Sequence, residues 1–290
     1  IMDGAMDALN QVTAQVLQFG DIALVENPTF PPLLDLLDAV GVRIIGVNID
    51  GDGLMPAELK EALAHRPKAV FLQPRAHNPT GASLTPRRAR ELAGLLKTSP
   101  VVVIEDDSAG AIATTPPISL GAWLPNQTVH IRSFSKSHGP DLRIAALSGP
   151  TLVLEGLRER RLLGQGWTSR LLQSVLLSLL TGDKSRGQVE HARATYSHRR
   201  SMITSELRRR GVAIENGDGL NLWLPVEDET SAMVSLATRG IGAAVGSPFM
   251  SKDDATPHLR LTVGLVRDDF VSMASVFADA SLASSTVGPR

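Results

Sequence analysis

Ala5, Leu9, Val12 and Val16 recur at helical spacing, so the chain opens with a helix that has one apolar face, closed near Gly20. An uninterrupted apolar run at 22–25 then reads as a short buried strand, cut off by Glu26-Asn27-Pro28. The helical period returns at 33–40 and at 55–64, with strands at 44–47 and 69–72 between and after. Thr85-Pro86 marks the start of a further helix, the hydroxyl suited to the cap and the proline to the first turn. Residues 101–104 and 129–131 are two more buried runs. Strands separated by helices at this spacing predict a mainly parallel sheet covered by helices on both faces. Ligands of such sheets sit beyond the carboxyl ends of the strands, where Asn78, Asp106 and Lys136 all fall.

After residue 180 the texture changes. Residues 187–210 read as one long helix with arginines on its wet face, a link between two lobes. Apolar runs follow at 212–214, 220–224, 241–244 and 258–263, with helical patterns at 230–238 and 268–277, which together predict a smaller α+β lobe. The expected division is a large α/β domain over residues 1–184 and a small C-terminal domain over 185–290. Residues 284–290 are a polar tail without packing signal, and no repeat or low-complexity segment is visible.

The bulk numbers narrow the function classes. At 290 residues there is room for two lobes. A formal net charge of -1 gives this segment no electrostatic reason to hold nucleic acid or an acidic membrane. With no cysteine there is neither a disulfide framework nor a thiolate metal site, and a cytoplasmic, reducing setting is expected. The longest apolar stretch, 171–180, contains Gln173 and Ser174 and is too short to span a bilayer. No basic segment followed by a long apolar core marks a signal peptide. The chain starts at Ile1 rather than Met, which leads us to expect a piece of a longer protein.

Candidate chemistry centres on Lys136. It stands in Ser133-Phe134-Ser135-Lys136, with Gly139-Pro140 and Arg143 after it and Glu105-Asp106-Asp107 at a strand end about thirty residues before. These are the parts a pyridoxal phosphate site needs. The lysine amine joins covalently to the cofactor aldehyde and later serves as general base. Hydroxyls and a forked guanidinium neutralise the phosphate. A carboxylate against the ring nitrogen keeps it protonated. Successive strand residues point to opposite faces, so only one of Asp106 and Asp107 can aim into the site.

Each motif alone also has a plain structural reading. Ser-x-Ser-Lys is an ordinary turn, Asn78-Pro79-Thr80-Gly81 a good loop, and Asp106 an acceptable helix cap. Arg260 lies inside an apolar strand pattern, where an unpaired cation is costly unless it binds a carboxylate. Order and spacing favour the shared chemical reading.

The chain resembles the class I/II aminotransferases of pyridoxal-phosphate fold type I, above all the aminotransferase-like domain of the MocR subfamily of GntR transcriptional regulators. The resemblance runs from Asp3-Gly4-Ala5-Met6 to Arg260-Leu261-Thr262-Val263, through Gly20-Asp21, Glu26-Asn27-Pro28-Thr29-Phe30, His77-Asn78-Pro79-Thr80-Gly81 and Gly139-Pro140-Asp141-Leu142-Arg143. It implies that Lys136 carries pyridoxal 5'-phosphate, Asp106 meets the pyridine nitrogen, and Asn78 donates to the phenolic oxygen. Gly4, Ala5, Ser133, Ser135 and Arg143 would hold the phosphate, the first two through a helix N-terminus. Phe30 would stack on the ring, and Arg260 would take a substrate carboxylate with Asn78 beside it.

Two departures bear on turnover. The family's tyrosine, two or three residues after the aspartate, is replaced by Ser108 and Ala109, and the chain's one tyrosine is Tyr196. The family's first strand and N-terminal arm do not appear ahead of Ile1. The leading expectation is therefore an effector-sensing domain that binds a small-molecule amine or amino acid, with DNA bound through a domain outside this chain. The alternative is a free-standing aminotransferase acting on an amino acid and a 2-oxo acid; a lyase or decarboxylase on the same scaffold is a third reading. A homodimer is expected, with Gly166-Trp167-Thr168-Ser169 offering an aromatic and two hydroxyls towards a partner's phosphate.

Overall fold

The computed structural model describes residues 1–252 and 256–284; part of the polar tail, 285–290, lies outside the described residues. The first half alternates helix and strand. It runs α1 (Ala5–Val16), β1 (Ile22–Asn27), α2 (Pro31–Val40), β2 (Arg43–Asp50), β3 (Gly53–Leu54), α3 (Pro56–Leu63) and β4 (Ala69–Leu72). Then follow α4 (Pro86–Leu96), β5 (Val102–Asp107), β6 (Thr128–Ser133), α5 (Ser135–His138) and β7 (Ala145–Ser148). The large sheet has the order β3-β2-β1-β4-β5-β6-β7. Pairing is parallel from β2 through β6, and the edge strands β3 and β7 are antiparallel.

The central strands form because both of their faces are covered. On one face Leu9 and Val12 of α1, Leu33 and Leu37 of α2, and Leu157 pack on Val25, Phe71, Ile104 and Ile131. On the other, Leu59 of α3 and Leu92 and Leu96 of α4 pack on Leu24, Val70 and Val103. A side chain of this kind contributes about 1.5 to 3 kcal/mol when fully buried. Thr85 caps α4 as expected, its side chain accepting from Arg88 N, with Pro86 at the first turn. The first helix stops at Val16, earlier than Gly20, which instead takes a left-handed turn.

Elements not legible in the sequence include β3, α5, β7 and the helix α6 (Thr151–Leu162). After α6 come α7 (Arg170–Thr181) and the long α8 (Asp183–Arg209), which starts four residues before the expected 187. The remainder is β8 (Asn221–Pro225), α9 (Glu229–Ala237), β9 (Ala244–Val245), β10 (His258–Thr262) and α10 (Phe270–Ser281). A three-stranded antiparallel sheet of order β8-β10-β9 carries this second core, into which α8 sends Ile203 and Leu207. The runs expected at 212–214 and 241–244 are not strands of those lengths. Val212 and Ile214 enter the core from a loop, and only Ala244–Val245 pairs, along the edge of β10 that β8 leaves free. Among the described residues no helix is long and apolar enough to cross a membrane.

Candidate functional site

Nine of the ten candidate residues line one cavity of about 370 Å³ at the carboxyl ends of the large-sheet strands: Ala5, Phe30, Asn78, Asp106, Ser133, Ser135, Lys136, Arg143 and Arg260. The tenth, Gly4, is the N-cap of α1, at φ 101. A Cβ there would lie 2.8 Å from Arg143 Nη2, so the guanidinium rests directly on the glycine backbone. Arg143 itself adopts a left-handed φ of 47, which turns its side chain back across the start of α1.

These contacts make an anion cradle. The first N–H groups of a helix have no intrahelical acceptor and carry the positive end of its dipole. Ala5 and Met6 bring that end to the cavity wall, Arg143 adds a full charge, and Ser133 and Ser135 add hydroxyls. The helix is held in place by Arg161, a residue that sequence reading missed. Its buried guanidinium bonds Asp3 at 3.0 Å, Asp7 at 3.1 Å and Thr168 at 3.2 Å. Three arginines stand between 158 and 161, and nothing in the sequence marks the last as the buried one. Thr168 is thus occupied within its own chain, and Ser169 caps α7 by accepting from Leu172 N. This corrects the expectation for Thr168, which is buried and turned inward, while Ser169 stays exposed.

Asp106 and Asp107 separate as strand geometry requires. Asp107 turns away from the cavity, to Arg75 at 2.7 Å and to Arg132. Burial works against its charge, yet the two guanidiniums hold its carboxyl below the ordinary aspartate range. Asp106 faces the cavity, and its Oδ1 is buried without a hydrogen-bond partner among the described residues. Burial pushes Asp106 up to about 6, against the pull of Lys136 and aided by the Asp107 charge. A buried carboxyl with an open lone pair, aimed into a cavity, suits a protonated ring nitrogen.

Lys136 projects from the first turn of α5, directly after β6. Water reaches its side chain through the open mouth, but the surrounding protein desolvates the amine and depresses its pKa. Asp106 opposes that shift and Arg260 reinforces it. An amine with a lowered pKa is neutral more often and adds to carbonyls more readily.

Asn78 is fixed from two sides. Gln73 Oε1 accepts its backbone N–H at 2.9 Å, and Asn221 Nδ2 on β8 donates to its Oδ1 at 3.0 Å. With the oxygen taken, the Asn78 amide nitrogen is left to donate into the cavity. Asn221 was also missed, being one polar residue in an apolar strand pattern. Arg260 projects from β10, its guanidinium 5.8 Å from the Phe249 ring. It has no ion pair among the described residues, its Nε is buried and unsatisfied, and burial lowers its pKa. Such a cation suits a ligand carboxylate. Tyr196 does not line the cavity; it packs with Ala76, Ala109, Ile112 and Ala113 behind it.

The residues therefore fit pyridoxal phosphate. The comparisons with known proteins agree with the fold and the motifs. Residues 1–272 match the aminotransferase class I and II family. The chain belongs to that family. It is 35% identical over 94% of its length to the vitamin B6 salvage pathway transcriptional repressor PtsJ of Salmonella typhimurium, of which it covers 64%. It is 29% identical, over 90% of its length, to the HTH-type transcriptional regulator YdcR of Escherichia coli, covering 58% of that protein. The chain spans under two thirds of the length of these regulators. Among solved structures, aspartate aminotransferase from Thermus thermophilus with maleate superposes at TM-score 0.87 and 22% identity, covering 96% of this chain and 75% of that one.

Proposed function

We infer that this chain is the pyridoxal-phosphate-binding, effector-sensing part of a MocR-type transcriptional regulator. The observation that carries the cofactor reading is the convergence of Lys136, Asp106, Asn78 and the Arg143 cradle on one cavity. The regulator reading is supported by relatives named as regulators, matched over most of this chain. We assign residues 1–184 to the cofactor lobe and 185–290 to the small lobe. Lys136 would bond the cofactor and Asp106 would hold the ring nitrogen. Asn78 would donate to the phenolic oxygen, Phe30 would cover the ring, and Gly4, Ala5, Ser133, Ser135 and Arg143 would hold the phosphate. Bound there, pyridoxal phosphate supplies an aldehyde for amines and a ring that withdraws electrons. Arg260 would orient the carboxylate of an amino-acid effector towards Lys136, and lobe movement on binding would be the signal.

The test has two parts. Purified protein should bind pyridoxal phosphate with a change in absorption, and an amino-acid ligand should shift that spectrum. The complete reading frame should encode a DNA-binding domain ahead of Ile1. A frame without one would favour a free-standing aminotransferase, a reading that the unpaired Arg260 keeps in view.

Exposed apolar side chains on α6, α7 and the turn between them support a homodimer. Leu162, Leu163, Trp167, Leu171 and Leu177 are each more than 60% exposed, and an apolar cavity beside Phe134, Leu177 and Leu180 continues that face towards the site. Light scattering of the full-length protein should give twice the monomer mass, and Leu171→Glu should halve it.

A further inference from the structure

Lys136 and Ser108 come from different strand ends and meet over the cavity, with Lys136 Nζ donating to Ser108 Oγ at 3.3 Å. Ser108 follows directly on β5 and lines the same cavity. Its neighbours hold the backbone on both sides. Asp107 is clamped by Arg75 and Arg132, and Ala109 is buried in an apolar cluster. At this corner, then, Ser108 is the polar side chain beyond Asp106 that reaches the amine.

We propose that Ser108 is a positioning residue for Lys136: its hydroxyl accepts from the ammonium, holds Nζ between Asp106 and Arg260, and sets how readily the amine is released to react. The proposal rests on Lys136 as the nucleophile of the cofactor reading. Condensation with an aldehyde needs the neutral amine. Its lone pair attacks the carbonyl carbon, and its two protons leave with the carbonyl oxygen as one water. A hydrogen bond donated by an ammonium is charge-assisted and stronger than one donated by a neutral amine, so a hydroxyl that accepts it favours the charged form. The charged groups that act on the amine are Asp106 and Asp107 on β5, which favour the ammonium, and Arg260 on β10, which opposes it; Arg143 after α5 lines the same cavity. Ser108 is the neutral member, and its effect is separable from theirs.

The experiment is competitive acetylation of the apo protein with acetic anhydride across pH, read at Lys136 by peptide mass spectrometry, with exposed Lys97 as internal reference. In Ser108→Ala the Lys136 labelling midpoint should move to lower pH by about half to one unit, the worth of one hydrogen bond. Ser108→Thr, which keeps the hydroxyl, should stay within a few tenths of wild type. Ser108→Cys, a weaker acceptor, carries the same test if the alanine variant does not fold. An unchanged midpoint in Ser108→Ala, or an equal shift in Ser108→Thr, overturns the assignment. Pyridoxal phosphate is titrated in a separate arm. A wild type that binds no cofactor while the labelling shift holds defeats the cofactor reading alone; cofactor binding with no labelling shift defeats the Ser108 assignment alone.

Discussion

Asp106 and Asp107 are consecutive on β5, yet one carboxylate is left open towards a cavity and the other is gripped by Arg75 and Arg132. Substitution should separate their roles. Asp106→Ala should fold and lose pyridoxal phosphate affinity by about a hundredfold, the worth of a charge-assisted hydrogen bond. Asp107→Ala should cost about 3 kcal/mol of stability by stranding the buried Arg75 guanidinium, with the partly exposed Arg132 adding less. Cofactor titration and denaturant unfolding of both variants check this, and equal affinity losses would refute the choice of Asp106.

The open carboxyl also gives a pH signature in the apo protein. Asp106 sits at about 6 against an ordinary value of 3.8. A raised carboxyl pKa means that the folded state holds the proton more tightly than the unfolded chain. Its contribution to stability is present below about 4 and is lost as pH rises towards 6. Over that window the gap between wild type and Asp106→Asn should move against the wild type by up to about 3 kcal/mol. Urea unfolding at pH 4.5 and 6.5 measures it, and a constant gap would show that the carboxyl is not perturbed.

Arg161 should matter to the phosphate although it does not touch the cavity. Arg161→Ala leaves Asp3 and Asp7 without their cation and loosens the start of α1. We expect a cost of about 2 to 4 kcal/mol, since Asp3 is partly exposed. Affinity for pyridoxal phosphate should fall more than affinity for pyridoxal, which lacks the anion. Equal losses for the two ligands would place the effect elsewhere.

Borohydride reduction of the loaded protein should fix the cofactor on the peptide that holds Lys136. Label on Lys68, Lys97, Lys184 or Lys252 would move the site. Amino transfer should be slow, because Ser108 and buried Ala109 leave no phenol at the cavity edge. A single-turnover spectrum with a panel of amino acids reads this; rapid, complete conversion reversed by a 2-oxo acid would put the aminotransferase reading first.

How much of this was legible depended on whether a residue's role is local. The strands β1, β4, β5 and β6 showed as continuous apolar runs because both of their faces are buried, and Thr85-Pro86 announced α4 by cap chemistry alone. The cavity residues showed because they sit at strand ends in fixed order. By contrast α6 was hidden, since Leu152 and Leu162 face outward and blur its period. Arg161 and Asn221 were hidden for a different reason. Their partners are Asp3 and Asp7 at the chain's start and Asn78, 143 residues before Asn221, and no local pattern records contacts at such separation.

The Asn78–Asn221 hydrogen bond has a thermodynamic corollary. One amide group serves two masters: its oxygen answers to β8, its nitrogen to whatever fills the cavity. If drawing β8 away frees that oxygen, the amide can rotate, and occupancy and the placement of β8 become reciprocal variables. Whatever tightens one must tighten the other by the same factor, so a ligand that holds β8 in place is itself held more tightly by anything else that fixes β8.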